Sequence, residues 1–129
     1  INNKMKSVFQ KVSFGVLALV MVVFGLNKFL GFIPVEPPMD PTAQRFLGSM
    51  FTTYLFKVVA MAEIIGGVLL MFPKVRLLGW LILSPVVFNI VSFHIAHDFI
   101  GNGIWIIPST VFLIIGFWLK NDLFKLVKV

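Results

Sequence analysis

Apolar residues do not alternate along this chain. They come in four blocks separated by charged or proline-containing breaks. Residues 12–26, 77–93 and 103–119 carry no charge, and 58–72 is broken only by Glu63. With its flanks, each block reaches the roughly 20 residues a helix needs to cross about 30 Å of hydrocarbon. A membrane β-strand would show about ten residues of alternation instead, and none of the blocks has it. The pattern predicts an all-α fold, an antiparallel bundle of four transmembrane helices over about 11–32, 54–72, 76–95 and 103–120, in a single domain spanning 1–129.

The breaks carry their own signals. Helix one ends in the run Gly31, Phe32, Ile33 and Pro34, and the prolines at 34, 37, 38 and 41 forbid helix and favour an extended connection. Asp40 before Pro41 is a helix start, because the carboxylate caps and proline at the first position loses no hydrogen bond. A short helix from Pro41 is expected to carry Phe46, Leu47, Met50 and Phe51 along the outer surface, either lying on the bundle or running into helix two, as a connecting segment that shields the bundle mouth or, alternatively, as a lid. Pro73 stops helix two, Pro85 bends helix three, and Gly101, Asn102 and Gly103 mark the turn into helix four. Tyr54 and Trp105 are expected at the outer interface, and Trp80 and Trp118 nearer the inner one. Gly25, Gly66, Gly67, Gly79 and Gly116 offer small surfaces for close helix contact.

Composition agrees: of 129 residues, 59% are hydrophobic and 12% charged, and the mean hydropathy is +1.01. A soluble domain of this size needs more polar surface than that. The first block is too long for a signal-peptide core and lacks a small-residue cleavage site; Met5 and Lys6 read as the natural start. No cysteine is present, which excludes thiol–disulfide chemistry and thiolate metal sites. The net charge of +6 reads as topology, not as nucleic-acid binding. Lys4, Lys6, Lys11, Lys74, Arg76, Lys120, Lys125 and Lys128 fall on the side of the termini and the middle loop. Arg45 lies on the other side with Glu36, Asp40 and Asp98. The positive-inside rule then places both termini of this multi-pass chain in the cytoplasm.

Polar residues inside the blocks are the candidate chemistry, since ionisable groups in hydrocarbon are costly and mark sites. Glu63 lies nine residues from Tyr54, about 13 Å at 1.5 Å per residue, close to the midplane. An unpaired carboxylate there would take up a proton, so it either pairs with a cation or donates a hydrogen bond as the acid. Lys28 is the expected partner, while Lys57 is shallower and is expected to snorkel and line the mouth. Asn27 closes helix one. Asn89 is deep enough on helix three to need a partner, for which an interhelical hydrogen bond is the plain use. His94 is a candidate hydrogen-bond donor or proton carrier. His94, His97 and Asp98 share a face at spacings of three and four, a weak metal signal because no fourth ligand is evident. No catalytic triad, phosphate loop or nucleotide fingerprint is present.

These residues also carry a resemblance. Phe24, Gly25, Leu26, Asn27, Lys28 and Phe29 close helix one. The proline-rich segment 33–41 follows, then Thr53 and Tyr54, then Lys57 with Glu63, Ile64, Ile65, Gly66 and Gly67. The run from Ser84 and Pro85 through Asn89 to His94 completes the series. In this order they resemble the DoxX family of four-helix membrane proteins. The resemblance implies a small bundle in the cytoplasmic membrane of a bacterium, in a family some of whose members are linked to quinone-reducing or oxidative-stress redox assemblies. It names no catalytic residue.

Together these readings predict an outward-opening polar pocket formed by Asn27, Lys28, Lys57, Glu63, Asn89 and His94. The ligand expected there is a quinone or a lipid, and a membrane or extracytoplasmic redox partner would supply electrons. The alternatives are a non-catalytic scaffold or assembly subunit, in which buried polar pairs set helix register, and a small transporter that works as an oligomer.

Overall fold

A computed structural model describes residues 2–99 and 103–128, and these are all-helical. The helices are α1 (Asn3–Leu30), α2 (Pro41–Phe51), α3 (Leu55–Leu70), α4 (Arg76–His97), α5 (Ile106–Trp118) and α6 (Lys120–Val127). α1 begins eight residues before the expected start at 11, because the Asn2 side chain caps it by accepting a hydrogen bond from the Met5 N–H at 2.8 Å. It stops at Gly31, whose φ of 65° is the left-handed conformation that glycine adopts without strain. α2 starts as the sequence predicts, with Asp40 capping the Thr42 N–H at 3.3 Å and Pro41 in the first turn. The connection from 98 to 105 is described only in part. Gly101 and Asn102, expected to mark the turn, lie outside the described residues, and Gly103 has φ 69°. The last apolar block is helical over 13 residues; Leu119 then separates it from the short charged helix α6.

α1, α3, α4 and α5 pack in a ring, with α1 on α3 and α3 on α4 the principal interfaces and α5 touching both α4 and α1. The contacts set the direction. Gly25 of α1 meets Ala60 and Ile64 of α3, whereas Gly67 of α3 meets Ala18 and Val22 of α1, so the pair is antiparallel. The same argument applies to α3 and α4 through Gly66, Gly79 and Leu83, and to α4 and α5 through Trp80 with Gly116 and His94 with Trp105. α2 and the proline-rich segment therefore lie at one end of the ring (the loop end). The N-terminus, the 71–75 turn and α6 lie at the other (the terminal end).

Small residues let these helices close. A Cβ on Gly79 would stand 2.7 Å from the Gly66 carbonyl oxygen and 2.9 Å from the Leu70 nitrogen, and one on Gly25 would stand 2.8 Å from the Ala60 carbonyl oxygen. All five glycines expected to mediate packing are in such contacts. Between them Phe14, Leu17, Met21, Leu70, Leu83, Phe112 and Ile115 form the core. Trp80 is half-buried against α5. Its ring stacks on Phe112 at 4.5 Å, and its indole N–H donates to the Phe112 carbonyl at 2.9 Å. Three serines are satisfied locally: Ser13, Ser84 and Ser109 each donate to the carbonyl four residues back.

The outward surface is apolar. Leu19, Phe88, Leu113 and Phe117 are each more than 60% exposed. α1 and α4 are long and apolar enough to cross a membrane, and α2 with α3 make a third span if that pair, bent by 79°, counts as one. α5, at about 20 Å, is shorter than the hydrocarbon core. These helices are compatible with membrane localisation.

Candidate functional site

The site begins with Gly25. Its missing Cβ lets α3 approach until the Glu63 Cβ stands only 3.2 Å from where that atom would be. Lys28, one turn further along α1, then lies within reach of the Glu63 carboxylate. The Lys28 ammonium donates to both carboxylate oxygens, at 3.0 and 2.8 Å, and its third donor faces the Phe24 carbonyl at 3.5 Å. The Phe56 ring lies 6.0 Å from the nitrogen. The Glu63 side chain is 3% exposed and that of Lys28 19%. Every N–H of the ammonium has an acceptor and each carboxylate oxygen has one donor, so the two charges are paired without a ligand.

The other candidate residues do not join it. Asn27 is buried, and its amide is consumed by the chain itself: its oxygen accepts the Ile33 N–H at 2.6 Å and its nitrogen donates to the Ile33 carbonyl at 3.1 Å. It thereby anchors the start of the proline-rich segment. Asn89, expected to need a partner, faces outward on α4, and its side chain makes no hydrogen bond among the described residues. Lys57 is exposed on α3, as its expected snorkelling requires. The outward turn of Asn89 has a physical reason. A helix that is apolar on all sides has no sequence-visible inward face, so depth can be inferred but rotation cannot.

His94 is half-buried, with Nδ1 2.8 Å from the Ile90 carbonyl, which must accept; the ring stacks on Trp105 at 5.0 Å and 17°. In the neutral ring that leaves Nε2 as the acceptor. His97 is committed elsewhere: its Nδ1 donates to the Asp40 carboxylate at 3.1 Å and ties the start of α2 to the end of α4. Among the described residues, His94, His97 and Asp98 do not come together as a ligand set.

Sequence reasoning treated Asp40 only as a cap, and so missed its pairing with His97; their opposite charge preference at the same end was the available signal. It also missed the stacking of Trp105 on His94. The loop end holds a shallow recess of about 320 Å³ between the proline-rich segment and α2, lined by Val35, Glu36, Pro38, Gln44, Leu47 and Phe51. Gln44 closes one wall by donating to the Pro38 carbonyl at 2.7 Å. None of the six predicted pocket residues lines this recess. No family model matches the chain, and no curated protein or solved structure is significantly similar to it.

Proposed function

We propose that this chain is a four-span integral membrane protein of the scaffold or assembly-subunit class, with both termini in the cytoplasm. Its buried ion pair sets the register of α1 against α3. The observation that carries this reading is the pairing itself: Lys28 and Glu63 engage each other directly, and Asn27, Lys57, Asn89 and His94 are not gathered around them. In the four-span reading α5 crosses with the help of Trp105 and the residues about Leu119, and the antiparallel ring supports it. The resemblance to the DoxX family, including its redox-linked members, agrees with a small bacterial membrane subunit.

A second reading, a quinone- or lipid-binding subunit, draws on one observation: the recess at the loop end has an apolar lining with Glu36 and Gln44 at its rim. The two readings separate in the double variant Glu36→Gln with Gln44→Leu, which changes the polar side chains of the recess and leaves the Lys28 and Glu63 pair intact. A scaffold keeps its fold, its co-purifying partners and its bound lipids, as read by native mass spectrometry and lipid extraction. A stoichiometric quinone on the wild type that is lost from the folded double variant would overturn the scaffold reading.

A further inference from the structure

At the terminal end, the 71–75 turn and the beginning of α4 face α6 across a groove of about 390 Å³. Its polar lining is Lys74, Arg76 and Lys125 against the single carboxylate of Asp122, three cations to one anion. Asp122 is engaged by Lys125 at 3.6 Å, which leaves Lys74 and Arg76 without a counter-ion in the groove. Arg76 is the unusual member. Its guanidinium lies over the Phe14 ring at 4.0 Å, and its Nε is buried with no hydrogen-bond partner among the described residues. The buried Nε is out of a ligand's reach, so an anion in the groove would meet the terminal guanidinium N–H groups, whose charge and geometry suit phosphate oxygens. Leu119 and Leu126 supply an apolar wall in the same groove.

We infer that this groove binds the phosphate headgroup of an anionic phospholipid, with Arg76 and Lys74 on the phosphodiester and an acyl chain along Leu119 and Leu126. Charge complementarity selects an anion, and the apolar wall selects one with a tail. A basic recess between helix ends at the cytoplasmic surface is where such lipids are held. The inference rests on the membrane-spanning reading above. It concerns a different end of the molecule from the Lys28 and Glu63 pair.

The test is native mass spectrometry of the full chain in detergent, titrated with phosphatidylglycerol or with phosphatidylcholine of the same acyl chains. Wild type is expected to retain phosphatidylglycerol preferentially, and each cation removed should lower that preference about fivefold. Lys74→Gln, at an exposed position, is the variant least able to disturb folding; Arg76→Gln is paired with it, and Asp122→Asn should retain the anionic lipid at least as well. Equal retention of the two lipids, or an unchanged preference in Lys74→Gln with Arg76→Gln, would overturn the inference. So would inorganic phosphate displacing phosphatidylglycerol completely at millimolar concentration, since the tail would then contribute nothing. Release of the chain from membranes by alkaline carbonate would sink the membrane reading separately, because lipid selectivity is measured in detergent.

Discussion

Lys28 and Glu63 show what a buried charge requires. Taking one partner away leaves the other charged and unpaired in an apolar setting, at a cost of about 3–5 kcal/mol. Replacing both by apolar residues of similar volume is close to neutral. Lys28→Met alone and Glu63→Leu alone should therefore unfold much earlier in detergent than the wild type, while the double variant recovers most of the loss. The coupling energy from that cycle measures the pair directly. The two asparagines make a second contrast. Asn27 holds both backbone groups of Ile33, so Asn27→Leu leaves them without partners and should cost about 1–3 kcal/mol. The freed segment should also exchange its amide hydrogens faster at Ile33, Val35 and Glu36. Asn89 has no such duty, and Asn89→Leu should change stability by less than about 0.5 kcal/mol. Equal losses in the two variants would mean that Asn89 has a partner in the folded chain.

At the scale of the helices, approach distance is controlled by glycines whose neighbours are backbone atoms. Gly79→Ala puts a methyl against the Gly66 oxygen and the Leu70 nitrogen, neither of which can swing aside, and should destabilise by about 1–3 kcal/mol. Gly15 sits on the exposed face of α1 with nothing within 4 Å, so Gly15→Ala should be neutral or gain up to about 1 kcal/mol from helix propensity. α2 is held differently. It touches α3 and α4 only lightly, and His97 to Asp40 is an exposed pair of the kind worth about 0.2–1 kcal/mol. His97→Ala should leave global stability nearly unchanged while hydrogen exchange in α2 quickens; protection as strong as in the wild type would show that Phe46 stacked on Phe93 is enough to dock it.

For the whole molecule, the number of spans is the property with the largest consequences, and the absence of native cysteine makes it directly measurable. Single cysteines at Ser7, Glu36 and Lys128 can each be labelled with a membrane-impermeant maleimide in intact cells and after lysis. Four spans put positions 7 and 128 on the same side, labelled only after lysis, and position 36 on the outer side. Labelling of position 128 from outside would mean that α5 does not cross, as its 13 residues alone would allow.

Much of this architecture is written locally. The apolar blocks and their proline and glycine breaks dictate helices, because in lipid each backbone N–H must be satisfied within its own segment. The cap at Asp40, the glycines at the contacts and the pairing of Lys28 with Glu63 follow from residue type and depth, and could be read before any fold was known. Two boundaries could not: α1 starts early because of a cap outside the apolar pattern, and α6 is too short to announce itself. Rotation about each helix axis is the other quantity that sequence leaves open. With apolar residues on every face of α4, nothing local says that Asn89 turns outward while Glu63 of α3 turns in. That choice is made where glycine surfaces meet across α1, α3 and α4, because close packing admits only one phase for each helix.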